Sequence, residues 1–179
     1  MAESMDRISS VMAGTARRWL DLTAAVPDDL LERPAVAGEW SAVDCLRHLL
    51  QADRHVFPSR VQQFLAGDEE LGRIDPSTIP TIEERTAREM ADAFARAREE
   101  NVRLIGGLRP EDLERTARSL RLGPISLGML LRQWALHDLE HLVQAERALF
   151  QGVLVESGEP LRTAYAALDM EAQVQTPTP

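Results

Sequence analysis

Apolar residues recur every three or four positions along most of this chain, a spacing that suits helices and not strands. In the first segment Ile8, Val11 or Met12, Thr15, Trp19, Leu22 and Val26 form one stripe, closed by Pro27 and Asp28-Asp29. Ser41 and Asp44 have capping-box spacing, and Trp40 is placed as a hydrophobic staple. They open a second helix through Leu46, Leu49, Leu50 and Val56 to near Gly67, with Pro58 predicting a kink. Thr81 and Glu84 repeat the capping spacing ahead of a third helix through Met90, Phe94, Ala97, Leu104 and Leu108. Ser126 caps a fourth helix from Leu127 to about Phe150, with Gly152 as its stop, and a short helix is expected over Leu161–Met170. Residues 67–80 and 110–125 read as irregular, the latter with one helical turn, and no segment reads as a strand. Four helices of roughly 20 residues with longer connections predict an all-α fold, a four-helix bundle.

Length and charge narrow the function. The 179 residues suit one helical domain over 1–170, with a disordered C-terminal tail over 171–179 ending Thr176-Pro177-Thr178-Pro179. Hydrophobic residues make up 44% of the chain, enough for a full core. Acidic residues outnumber basic ones 29 to 20, giving a net charge of −9, and every basic residue is a scattered Arg. A nucleic-acid binder needs a clustered basic face, so that class is disfavoured. No apolar run approaches the ~18 residues of a membrane span, and Met1–Asp6 carries no signal core. With a single cysteine, Cys45, there is no internal disulfide framework; a cytoplasmic protein without membrane or nucleic-acid partners is expected. Cys45 itself is expected to be a buried core thiol.

The four histidines are the chemically informative residues. His137 and His141 stand four apart on the fourth helix, so the second ring lies only about 40° round and about 6 Å along from the first. Leu130, Gln133, Trp134 and Gln144 share that face, which turns the pair into the bundle. On the second helix His48 shares an inward face with Cys45 and Ala52. Two readings compete. The rings are hydrogen-bonded core residues, or they converge on a metal, for which bundle cores are a standard setting. Three buried imidazoles favour the metal, because unsatisfied ring nitrogens would cost about 1–3 kcal/mol each. His55 lies about 10.5 Å beyond His48 along the axis and is expected at a rim or on the surface. The string His137-x-x-Glu140-His141 matches an inverted zinc-protease motif, but no downstream carboxylate completes it, so Glu140 is expected to be exposed or to support a ligand. Asn101 interrupts the third stripe, and is either exposed or locally bonded, or lines a cavity.

The stretch Gly38-Glu39-Trp40-Ser41-Ala42-Val43-Asp44-Cys45-Leu46-Arg47-His48-Leu49 resembles the second-helix signature of the DinB/YfiT-like family of bacterial helical proteins. Leu136-His137-Asp138-Leu139-Glu140-His141-Leu142-Val143-Gln144 resembles its fourth-helix signature. The resemblance implies an up-down-down-up bundle, often dimeric, with one divalent metal ion (Zn, Ni or Fe) held by His48, His137 and His141. Asp44 departs from the family's usual Glu. Relatives include low-molecular-weight thiol S-transferases and a thiol-dependent maleylpyruvate isomerase.

These readings lead to a metal-dependent enzyme acting on a small-molecule substrate, with a thiol S-transferase first and a hydrolase beside it. The rival is a non-catalytic, stress-related protein that binds a metal or small ligand. A homodimer is expected from the resemblance, with Trp19, Phe64 and Phe150 as candidate exposed apolar groups.

Overall fold

The computed structural model describes residues 2–170; the sequence reading of 171–179 as a tail lies outside them. Its elements are α1 (Ala2–Ala25), α2 (Asp28–Leu31), α3 (Ala42–Gln51), a π turn (Ala52–Val56), α4 (Phe57–Ala66), β1 (Glu70–Leu71), α5 (Ala87–Gly106), β2 (Thr116–Ser119), β3 (Gly123–Ser126), α6 (Leu127–Ser157) and α7 (Leu161–Ala164). The α3–π–α4 run is one column of the bundle; α1, α5 and α6 are the others.

Contacts between columns give their directions. The Leu20 carbonyl accepts from Arg88 and the Met12 carbonyl from Arg98, so α1 and α5 are antiparallel. His48 meets His137 while Asp53 meets Trp134, so the second column and α6 are antiparallel. Leu46 and Leu50 pack in one cluster with Met90 and Phe94, and Val61 and Phe64 in another with Ile105, so the second column and α5 run parallel. The result is the up-down-down-up bundle.

Local chemistry starts each helix. Ser41 Oγ accepts from Asp44 N at 3.1 Å and the Asp44 carboxylate accepts from Ser41 N at 3.1 Å, so the shorter acid closes the capping box as Glu would. The α5 box is formed by Thr86 and Glu89, not by Thr81 and Glu84, and the helix begins five residues later than the first such spacing indicates. Glu84 is instead engaged by Arg54, with a 2.6 Å bond, and cannot cap. Pro58 stands in the first turn of α4, directly after the π turn: lacking an N–H, it cannot continue the ladder back to residue 54. Gly67, with φ of 85°, closes the column in the left-handed conformation.

Other expectations are corrected. α6 does not stop at Gly152 but continues to Ser157. Gly152 is there for packing: a Cβ would lie 2.5 Å from Leu30 Cδ1 of α2. The final helix spans only Leu161–Ala164. Segments read as irregular contain a small sheet of order β1-β2-β3, with β1 parallel to β2 (Glu70 opposite Arg118) and β2 antiparallel to β3 (Thr116 opposite Ser126). Strands of two to four residues are too short for alternation to show in a sequence, and Pro124 is tolerated because β3 is an edge strand.

Two apolar clusters make the core, one around Trp19, Leu46 and Phe94 and one around Phe64, Leu131 and Trp134. Burying each such side chain contributes about 1.5–3 kcal/mol. Trp19 and Phe64 therefore belong to the monomer's own core, and Phe150 is half-buried against Tyr165, so none of the three is an exposed apolar group. The exposed large apolar residues of α6 are instead Met129, Leu136, Leu139, Val143 and Val153. Among the described residues no helix is long and apolar enough to cross a membrane.

Candidate metal centre

Helical spacing and antiparallel packing together gather three of the four histidines. His48 occupies the last turn of α3 and faces His137 and His141 across the seam with α6. Its Nε2 lies 3.0 Å from His137 Nε2. The ring centroids are 4.6 to 5.0 Å apart, and one nitrogen from each ring lies within 4.8 Å of the others. His55, in the π turn, is half-buried and outside the cluster, as its axial offset predicts.

The surroundings fix the rings. Trp40 stacks on His141, with centroids 5.4 Å apart and planes at 20°, and stands 5.0 Å from His48. It walls the histidines, where the sequence reading made it a staple. Phe57 meets His137 edge-on at 5.4 Å. His141 Nδ1 lies 3.0 Å from Gln144 Oε1. An amide oxygen only accepts, so this bond places the proton on Nδ1 and leaves the Nε2 lone pair free. His137 Nδ1 is buried with no partner among the described residues.

Electrostatics keep His137 and His48 neutral. Burial, then the neighbouring His141 and His48 and the more distant Arg98, push the His137 pKa down to about 3. Burial and His141 also lower that of His48. His48 and His137 stand 3.0 Å apart, Nε2 to Nε2, and tetrahedral ligands about 2.0–2.1 Å from zinc stand at a similar separation, roughly 3.3 Å. The donor set fits a divalent ion of the kind imidazole prefers.

A second polar group, missed by the sequence reading, lies behind the histidines. Asp53, Arg98 and Asp138 are fully buried and bonded together. Asp53 also accepts from Trp134 Nε1 at 2.9 Å and from Asn101 Nδ2 at 3.2 Å, so Asn101 is neither exposed nor cavity-lining. The signal was present in α5: Phe94, Arg98, Asn101 and Ile105 share one face, which puts a cation on the inward stripe. Cys45 is fully buried, and burial, reinforced by Asp44, raises its thiol pKa to about 12.

Two hollows adjoin the cluster. A cavity of about 260 Å³, bordered by His48 and His137, runs between the second column and α6 toward the β2–β3 hairpin. A wider surface groove of about 600 Å³ follows Trp40, Leu136, Leu139 and Val143, with exposed Glu140 on its rim.

This is a four-helix-bundle protein with a three-histidine cluster across its α3–α6 seam. The DinB superfamily model matches residues 12–145, and the chain belongs to that superfamily. Among solved structures it is similar to YfiT from Bacillus subtilis, at a TM-score of 0.70 and 14% identity, covering 83% of this chain and 87% of that one. YfiT is described as a probable metal-dependent hydrolase with an unusual four-helix bundle topology. Comparison with curated protein sequences returned no match.

Proposed function

We propose that His48, His137 and His141 hold one divalent metal ion and that the chain is a metal-dependent enzyme acting on a small molecule, foremost a low-molecular-weight thiol S-transferase. The observation that carries the metal is the convergence of three imidazoles, two of which border a cavity. The description of YfiT as metal-dependent supports it. When bound, the ion supplies a Lewis acid that favours loss of a proton from a thiol or a water placed beside it.

The chain's own residues do the rest. Gln144 sets the tautomer and angle of His141, and Trp40 and Phe57 cover two ring faces, limiting the approach of water. Among the described residues no Asp or Glu lines the cavity that reaches His48 and His137. Hydrolysis also calls for a group that delivers a proton to the leaving atom, whereas a thiol, with a free pKa of about 8.5, is ready to attack once its single proton is lost. That favours thiol chemistry over the hydrolase reading.

The test is direct. Protein loaded in turn with zinc, nickel or iron is mixed with small thiols and 1-chloro-2,4-dinitrobenzene, and with ester substrates. Thiol conjugation that depends on metal and is lost in His137→Ala supports the transferase. Ester hydrolysis alone would move the assignment to a hydrolase, and stoichiometric metal without either reaction to a binding protein.

A further inference from the structure

The cavity beside the histidines has two chemically different ends. His48, Ala52, Val56 and Arg60 recur every four residues along one face of the second column and all line it. On α6 its wall runs from His137 to Leu130, about 10 Å of axial rise. Because the two columns are antiparallel, the histidines occupy one end and Arg60 the other. The β2–β3 hairpin closes that second end and brings Arg121 to it.

Arg60 has no counter-charge. Its Nη1 donates to Gln63 Oε1 at 3.2 Å, and among the described residues it pairs with no carboxylate. Burial lowers the pKa of this half-buried guanidinium. Arg121, exposed at the mouth, is likewise without an acidic partner among the described residues. In a chain with 29 acidic residues and a net charge of −9, a cavity bordered among the described residues by two arginines and no acid favours negative charge. Between the ends the wall is mostly apolar, with Ala52, Val56, Phe57, Leu71, Ile125 and Leu130, and Gln133 and Ser119 add neutral polar groups. The volume, about 260 Å³, is slightly below the range usual for drug-sized ligands and suits a compact molecule.

We infer that the cavity takes a small aliphatic carboxylate, with Arg60 as the residue that selects the carboxylate and Arg121 as a second cation at the mouth, while the opposite end of the molecule is presented to the histidine cluster. Arginine is suited to this because its fork matches a carboxylate through two parallel N–H bonds. The inference rests on the reading of the histidines as the reaction centre, and it adds the substrate class.

Cobalt(II)-loaded protein provides the test, because thiolate binding changes the cobalt spectrum without turnover. 6-Mercaptohexanoate, whose chain is long enough to span the wall, is titrated against 6-mercaptohexanamide, its neutral counterpart. The acid should bind about tenfold or more tightly than the amide. Arg60→Gln should reduce that ratio to near one while leaving the amide's affinity within about twofold, and Arg121→Gln should give a smaller reduction in the same direction. Equal affinities in the parent protein, or a ratio that survives in the double variant R60Q/R121Q, would overturn the carboxylate site.

A second arm separates this from the thiol and metal readings. Thermal stability is measured with glutarate and with glutaramide on the same protein, or on metal-free protein where cobalt is not retained. Should neither thiol alter the cobalt spectrum, the thiol reading fails, yet stabilisation by glutarate that disappears in Arg60→Gln still supports the carboxylate site. No difference between glutarate and glutaramide in that case overturns it.

Discussion

The Arg98 guanidinium grips the Asp53 carboxylate through two bonds, Nε to Oδ2 at 2.8 Å and Nη2 to Oδ1 at 2.7 Å, with the two side chains 1% and 0% exposed. It joins Asp138 with its remaining N–H groups, reaches the Met12 carbonyl at 3.3 Å, and lies over the Phe94 ring at 4.8 Å. One side chain thus ties α5 to α1, α6 and the π turn. Burial opposes charge on Arg98, but the bonds to Asp138 and Asp53 outweigh it and hold its pKa above the ordinary value. Burial likewise pushes Asp138 up to about 6, with Arg98 pulling the other way.

Arg98→Met should therefore destabilise the protein by about 3–5 kcal/mol, because it strands two buried carboxylates. Urea denaturation followed by circular dichroism measures this. A loss below about 1 kcal/mol would show that the network is not holding the columns together.

Metal affinity should fall at least about a hundredfold in His48→Ala, His137→Ala and His141→Ala, and by about 10–100-fold in Gln144→Ala, which removes only the partner of His141. His55→Ala should bind as the parent does, since His55 lies outside the cluster. Competition with a chromogenic chelator ranks the five; retention in all of them would remove the metal assignment.

Metal-free protein should lose stability as the pH falls below about 6.5. The folded His137 titrates at about 3 and the unfolded residue near 6.5, so between those values the unfolded chain binds the extra proton. Acid therefore favours unfolding, by at most about 1.4 kcal/mol per pH unit for this ring. Denaturation midpoints at pH 7.5, 6.5 and 5.5 should decline more steeply in the parent than in His137→Asn. Parallel declines would contradict the neutral, buried ring.

Cys45 should react slowly with a thiol reagent in native protein and rapidly in urea, because the thiol is buried and its pKa is raised to about 12. Cys45→Ala should keep the metal. Fast native labelling accompanied by metal loss would instead make the sulfur part of the site.

The sequence by itself determined the elements and half of the chemistry. The four apolar stripes specified four helices because a 3.6-residue period leaves one face to bury, and Ser41 with Asp44 closed its cap through contacts only three residues apart. Spacing alone also placed His137 and His141 side by side, since one helical turn separates them. Wherever two local signals were equivalent, the tertiary structure chose. Thr86 and Glu89 cap α5 while Arg54 takes Glu84, and α6 runs through Gly152, whose missing Cβ leaves room for Leu30. The pairing of Asp53 with Arg98, the seating of Trp40 on His141, and the lining of one cavity by both Arg60 and Arg121 bring together residues 45, 101 and 61 positions apart. No local period encodes such distances. They follow from which faces the packed columns and the hairpin bring together.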